Sequence, residues 1–329
     1  MGMATKGYVM PMWSYQGPAA AQAAMSAAKA TGANSVEIDF DFTTGPGGLQ
    51  SNTASIHNTS QNNLANLAQA IGVAKSLGMS VWVKPELEVG GPGAPGSTNW
   101  AALAPTDPKA WFQSYTAALK SMGATAQAAG ADHFIITNEL RSMTNGPYVA
   151  EWTQLLQEVR TVFKGAIGFN AGAFWSYGRQ EYEGIPAGVV NQLDFMGLSA
   201  YPRFATDASA TESLAQVQAG WSKDYTGRNV LGEIQSWQAK YPTKPLYFTE
   251  LGSPETTGGY NGLQKGGAHG NYQDMANYML GSLSVLQTSA PQVKGAFVYE
   301  WSMSPTGGTW DVSANPTVTN ALAQGWHYA

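Results

Sequence analysis

Acidic and amide side chains follow directly after several apolar segments of this chain of 329 residues. The segment FIITNEL contains Asn138 and Glu139, and YFTEL contains Glu250. Two carboxyl groups that face each other across a glycosidic oxygen can cleave the bond, because one protonates the leaving group and the other attacks or stabilises the sugar carbon. Composition and spacing alone do not select the pair, since further acidic residues lie in comparable positions: Asp39, Asp41, Glu86, Glu88 and Glu300.

The elements that must position these side chains alternate along the sequence. Short segments rich in β-branched and aromatic residues are separated by longer segments with helical spacing of apolar residues. Strands that alternate with helices indicate parallel crossovers and a sheet covered on its outside, and eight such units predict an α/β fold, a single (β/α)8 TIM barrel. Because no linker divides the chain, we expect one catalytic domain over residues 1–329. The predicted strands are residues 7–13, 34–42, 79–87, 132–140, 165–172, 193–202, 244–251 and 295–303.

In such a barrel the functional site lies at the C-terminal ends of the strands. The residues expected there combine carboxylates, one lysine, amides and aromatic rings, without histidine or cysteine. This combination suits acid/base and nucleophilic chemistry on a neutral sugar. The glycine- and proline-rich segments 90–105 and 252–270 follow the third and seventh strands, where barrel enzymes carry functional loops. The candidates at the strand ends are Trp13, Asp39, Asp41, Lys84, Glu86, Asn138, Glu139, Asn170, Tyr201, Glu250, Glu300 and Trp301.

The composition narrows the range of partners. A net charge of -5 and a pI near 5.4 predict no binding of nucleic acid or anionic lipid. The absence of cysteine and the four scattered histidines argue against a zinc site, and we expect neither a metal nor a cofactor. No apolar segment approaches the roughly 20 residues that cross a bilayer. The N-terminus resembles no export signal, so the location stays open, with secretion expected if a signal was removed.

Several motifs resemble glycoside hydrolase family 113, part of a large clan of retaining (β/α)8 enzymes. They are GYVMPMW, WVKPEL, AWFQSYTAAL, ITNEL, YFTELG and FVYEWS, and they extend over almost the whole chain. The resemblance implies β-mannanase activity on an oligo- or polysaccharide, with no cofactor. It also implies that Glu139 is the general acid/base and that Glu250 is the nucleophile.

The resemblance extends to residues around the two acids. Tyr201 matches a tyrosine that hydrogen-bonds the nucleophile, Asn138 matches an amide directed at the sugar 2-hydroxyl, and Trp301 matches the aromatic floor under the sugar. Lys84 matches a lysine expected to bind a hydroxyl group. Trp13, Glu86 and Asn170 complete the expected binding site, and Trp100, Trp175 and Trp310 lie in predicted loops as possible sugar platforms.

The chain departs from the family pattern near the expected sugar subsites. Glu86 stands where the family carries histidine after Lys-Pro, and Glu300 stands where it carries an aspartate. The family has Gly-Thr-Glu where this chain has Thr137, Asn138 and Glu139. We therefore expect a monomeric, retaining, endo-acting β-glycosidase, with β-1,4-mannan or glucomannan as the first expected substrate. The alternatives are the same chemistry on a β-glucan type of cell-wall polysaccharide, and a barrel that binds saccharide without cleaving it.

Overall fold

The structure is a computed structural model that describes residues 3–89, 100–174, 180–205, 207–304 and 308–328. Within these residues the chain alternates strands and helices along most of its length. The strands are β1 Thr5–Pro11, β2 Ser35–Thr44, β3 Ala54–Ile56, β4 Ser80–Glu88, β5 His133–Ile135, β6 Ala166–Ala173, β7 Phe195–Ala200, β8 Leu246–Leu251 and β9 Val293–Val298. The helices are α1 Pro18–Ala30, α2 Leu64–Ser76, α3 Pro108–Ala129, α4 Arg141–Thr144, α5 Val149–Val162, α6 Glu181–Gly184, α7 Ala187–Val190, α8 Leu214–Gly220, α9 Val230–Lys240, α10 Gly259–Lys265, α11 Tyr272–Ser289 and α12 Pro316–Trp326.

The parallel strands close into a barrel, which confirms the predicted (β/α)8 fold. They follow the order β1, β2, β4, β5, β6, β7, β8 and β9, and β9 returns to pair with β1. The short strand β3, which the sequence did not predict, pairs antiparallel with the end of β2 outside the closed ring. Because closure leaves the ring no free edge, the C-terminal ends of all its strands surround one mouth.

Two apolar layers hold the barrel together. Outward-facing strand residues such as Val36 and Ile38 pack on the helices in one large core. A separate cluster fills the base of the barrel, where the Trp82 ring stacks on His133 with ring centroids 3.8 Å apart. The other members of this inner cluster are Val9, Ile135, Phe195 and Phe297. Side chains alternate along β2 and β4, so the inward-facing positions include Glu37, Asp39, Lys84 and Glu86. Glu37 is at the level of Trp82, and the other three are closer to the C-terminal ends of the strands.

Local sequence signals explain the start and end of the longest helix. The Asp107 side chain accepts a hydrogen bond from the Ala110 N–H at 3.1 Å, and Pro108 occupies the first helical position of α3. Gly130 ends the helix in a left-handed conformation, with φ of 90°. Trp111 lies on the buried face of α3, and Trp152 does so on α5, as the helical spacing predicts. Among the described helices, none is long and apolar enough to cross a membrane.

Candidate active site

Glu139 lies beyond the end of β5, in a backbone conformation that residues other than glycine rarely adopt. The regular strand stops at Ile135, earlier than the predicted residue 140, and the φ angle of Glu139 is 51°. A left-handed conformation costs about 1–2 kcal/mol for a residue with a Cβ atom. The Glu139 N–H donates to the Asn170 carbonyl on the neighbouring strand at 3.1 Å and holds the turn in place. Such strained positions occur most often at functional sites.

Glu250 lies near the end of β8 and accepts hydrogen bonds from three other strands or strand ends. The Tyr201 hydroxyl donates to Glu250 Oε2 at 2.5 Å, and Asn170 Nδ2 donates to Oε1 at 3.3 Å. The Lys84 ammonium also contacts Oε1 in a buried ion pair. Donors on both oxygens fix the orientation of the Glu250 side chain.

The surroundings of Glu139 favour its neutral form. Burial, and after it the negative charge of Glu250, raise the pKa of Glu139 to about 8. The Trp100 indole donates to Glu139 Oε2 at 3.2 Å. At neutral pH one acid therefore carries a proton while its neighbour is held among donors. This contrast is the one that acid catalysis combined with nucleophilic attack requires.

The two acids open into the same cavity at the mouth of the barrel, which has a volume of about 450 Å³. Aromatic rings form much of its wall, and the Trp310 ring meets Tyr201 edge-on, with centroids 5.5 Å apart. Flat apolar faces with polar edges are suited to sugar rings. The lining residues are Trp100, Glu139, Tyr201, Glu250, Tyr260, Leu263, Tyr299 and Trp310.

Asn138 and Asn170 form a buried amide pair behind the cavity. Asn170 Nδ2 donates to Asn138 Oδ1 at 2.7 Å and to the Ser199 hydroxyl at 2.8 Å, and Thr249 Oγ1 donates to Asn170 Oδ1 at 2.7 Å. Asn170 is fully buried and Asn138 nearly so. Asn170 therefore links the strand ends that carry the two acids, whereas the sequence predicted a direct contact of both amides with sugar.

Lys84 lies beneath the cavity and is fully buried. Its ammonium pairs with Asp39 at 3.4 Å and with Glu37 at 3.0 Å, in addition to Glu250. Asp39, Glu86 and Glu250 each offer a carboxylate oxygen within 4.8 Å of the others, a spacing that a cation could use. Lys84 already supplies a positive charge at this place. Glu86 is partly exposed as a residue, but its Oε2 is buried, and this burial raises the pKa of the carboxyl group well above the usual range.

The tryptophan predicted as the sugar floor lies elsewhere. Trp301 is buried against Tyr8, with ring centroids 4.7 Å apart, and it is not among the residues that line the cavity. Tyr299 and Trp310 occupy the cavity wall instead. Trp13, in a short turn after β1, is 43% exposed. Trp175 and residues 90–99 of the first predicted functional loop lie outside the described residues.

Three residues that line the cavity were not predicted from the sequence. Tyr260 and Leu263 lie in the predicted functional segment after β8, but no residue pattern singled them out. Tyr299 also lines the cavity, but the acidic candidate predicted at this strand end was its neighbour Glu300. Glu300 itself is buried, and burial together with the Asp311 charge raises its pKa to about 8.

A closed (β/α)8 barrel with an acid pair in an aromatic cavity at its mouth defines the class of barrel glycoside hydrolases. The family model of Glycoside Hydrolase Family 113 matches residues 4–308. The chain therefore belongs to this family, and it is a glycoside hydrolase.

Solved structures with the same fold include members of that family. A GH113 β-mannanase, AaManA from Alicyclobacillus acidocaldarius in complex with ManMIm, superposes with a TM-score of 0.74 at 18% identity, covering 99% of this chain and 97% of that one. A structure described as a GH113 β-1,4-mannanase gives 0.73 at 19% identity, covering 98% and 99%. A GH5_18 protein from Streptomyces cattleya in complex with GlcNAc gives 0.62 at 11% identity, covering 99% and 81%. A comparison with curated proteins found no match.

Proposed function

We propose that this glycoside hydrolase is a retaining, endo-acting β-glycosidase that cleaves β-1,4-mannan or glucomannan by double displacement. Glu250 attacks the anomeric carbon and forms a glycosyl-enzyme intermediate, while Glu139 protonates the departing oxygen. Glu139 then removes a proton from the water that hydrolyses the intermediate. The observation that carries the proposal is the contrast between the two acids of one cavity: Glu139 is kept neutral by burial, and Glu250 is surrounded by donors.

The position of Tyr201 supports this assignment of roles. Its hydroxyl donates to Glu250 Oε2, which leaves the carboxylate oriented for attack before any substrate arrives. Within the described part of the chain, the hydrogen-bond donor to the Glu139 carboxyl group is the Trp100 indole, so Glu139 can exchange its proton with substrate and water. The mannan specificity rests on the family and on the two structural neighbours described as mannanases.

The stereochemistry of the first-formed product tests the mechanism. Proton NMR during hydrolysis of a manno-oligosaccharide should show the β-anomer first, followed by mutarotation, and an initial α-anomer would overturn retention. The Glu250→Ala variant should be inactive while remaining folded, and azide should give it an α-glycosyl azide. The Glu139→Ala variant should give a β-glycosyl azide, because its nucleophile is intact. Exchange of these two products would reverse the roles.

A reducing-sugar screen tests the substrate. Mannan and glucomannan should be cleaved faster than cellulose, xylan or galactan, with short oligosaccharides released early from the polymer. Glu86 motivates the second candidate, a β-glucan type of substrate, because it stands where the family carries histidine and offers a carboxylate oxygen within 4.8 Å of one of Glu250. Hydrolysis of β-glucan alone would favour that candidate and reject mannan.

A further inference from the structure

The Lys84 ammonium forms ion pairs with three carboxylates of the protein. An ammonium group carries three N–H donors, and three carboxylates from two other strands surround this one: Glu37, Asp39 and Glu250. Burial alone would lower the pKa of Lys84, but the carboxylates raise it well above the usual value, so the group stays charged. Lys84 hydrogen-bonds Glu250 Oε1 and forms ion pairs with Glu37 and Asp39, so it contacts the proposed nucleophile directly.

The proposed reaction uses neither Glu37 nor Asp39, and Glu37 lies deeper in the barrel. It aligns with Val9 on β1 and with Trp82 on β4, which are members of the apolar cluster at the base of the barrel. Its side chain is fully buried, and the Lys84 ammonium lies 3.0 Å from Oε1. Among the described residues, neither Glu37 oxygen has a hydrogen-bond partner, and the contact with Lys84 is an ion pair. Burial of an ionisable group in apolar surroundings is unfavourable unless a partner offsets it.

The geometry places Glu37 on the opposite side of the ammonium from the cavity. Asp39 aligns with Lys84 itself, and Glu250 lies at the cavity wall, so both remaining partners are at or above the level of Lys84. Glu37 belongs to the layer below. Without it, the flexible lysine chain would be free to follow its other partners, and Glu250 Oε1 would lose a fixed neighbour.

We propose that Glu37 is a positioning residue of the glycosidase reaction, which acts through the Lys84 ammonium to fix the Glu250 carboxylate. Lys84 then holds Oε1 from below while Tyr201 holds Oε2 from the side. The inference rests on the proposed role of Glu250 as nucleophile. A displacement of about 1 Å in a reacting group can lower a rate by roughly 100-fold, so a residue that never touches sugar can govern the chemical step.

The experiment measures the chemical step separately from binding. The probe is 2-deoxy-2-fluoro-β-mannosyl fluoride, which would trap the glycosyl-enzyme on Glu250 and yield a maximal inactivation rate, kinact, and an inhibition constant, KI. Labelling also counts the correctly folded sites, and all rates are expressed per labelled site. Mass spectrometry of the labelled peptide locates the adduct.

Two substitutions separate position from packing. Glu37→Met fills the apolar layer and removes the acceptor, so it should keep or raise the Tm while kinact falls about 10- to 100-fold and KI changes little. Glu37→Gln keeps an acceptor oxygen at the same reach and should restore part of the rate. Equal kinact values for the wild type and both variants would overturn the proposal. If Glu37→Met does not fold, equal kinact values for the wild type and Glu37→Gln would overturn the proposal.

Asp224 offers a matched control outside the cavity. It is also buried, and its Oδ1 accepts hydrogen bonds from the N–H groups of Thr226 and Arg228. Asp224→Asn should lower the Tm and leave kinact per labelled site unchanged, and an equal loss of kinact would show a general packing effect and overturn the proposal. A wild type that is labelled elsewhere than on Glu250, or not at all, would refute the proposed function instead.

Discussion

Replacement of Glu139 by glutamine should separate substrates by how much they depend on proton donation. With a pKa of about 8, Glu139 is about 99% protonated at pH 6. A rise from the usual value of about 4.3 corresponds to about 5 kcal/mol by which the pocket disfavours the charged form. Glutamine preserves the shape but supplies no acidic proton. We expect kcat/KM on a manno-oligosaccharide to fall about 10²- to 10⁴-fold, the usual contribution of general acid catalysis.

An activated substrate should respond differently to the same substitution. The 2,4-dinitrophenolate of an aryl β-mannoside departs without protonation, so the first step should remain within about 10-fold of the wild type. The second step still needs a base, and a burst of dinitrophenol followed by slow turnover should appear in stopped-flow traces. Azide, which needs no base, should accelerate that slow phase.

The pH profile gives an independent measurement. Wild-type kcat/KM on the oligosaccharide should fall as the pH rises through about 8, because Glu139 loses the proton that it must donate. This alkaline limb should be absent from the Glu139→Gln profile. Glu181 serves as the control, since it is buried near Glu139, accepts from Thr144 Oγ1 at 2.7 Å, and does not line the cavity.

The Glu181→Gln variant should keep the wild-type pattern on both substrates. The negative charge of Glu181 contributes to the raised pKa of Glu139, so the substitution should move the alkaline limb of the pH profile to lower pH. If the Glu139→Gln substitution lowers kcat/KM by the same factor on the oligosaccharide and on the dinitrophenyl mannoside, Glu139 is not the proton donor.

Three further predictions concern the cavity and the buried acids. Tyr201→Phe should lower kcat about 10- to 100-fold with a similar KM, because a hydrogen bond to a charged group contributes about 1.5–3 kcal/mol; an unchanged kcat would contradict this. Trp310→Ala should raise KM roughly 3- to 10-fold through lost ring contacts, whereas Trp301→Phe should lower only the Tm, and the reverse pattern would restore Trp301 as the sugar floor. Burial raises the pKa of Glu181 to about 7, so the folded state holds this proton longer than the unfolded state. The stabilisation from this proton is complete below about pH 4. As the pH rises from about 4 to 7, the free energy of unfolding falls by about 1.4 kcal/mol per pH unit. Urea titrations of Glu181→Gln should show a smaller fall in the free energy of unfolding over this range.

The sequence by itself determined the barrel and the region of its site. Alternation of strand and helix patterns depends on local spacing, and the polar residues after each apolar segment mark the mouth wherever the strands close. The Asp107 and Pro108 signal likewise acts within one helical turn. The family motifs singled out Glu139 and Glu250, and the structure brings both into one cavity.

Only the tertiary structure decided which neighbours each side chain meets. β9 ends at Val298, so the alternation of faces no longer holds at Tyr299, Glu300 and Trp301. The chain there turns Tyr299 to the cavity and Trp301 into the core, which residue types alone do not specify. The pairing of Lys84 with Glu250 joins strands 166 positions apart in sequence. Such contacts depend on strand register and barrel closure. The two-residue period of a strand determines which face a side chain is on, but it does not determine which residue of another strand lies beside it.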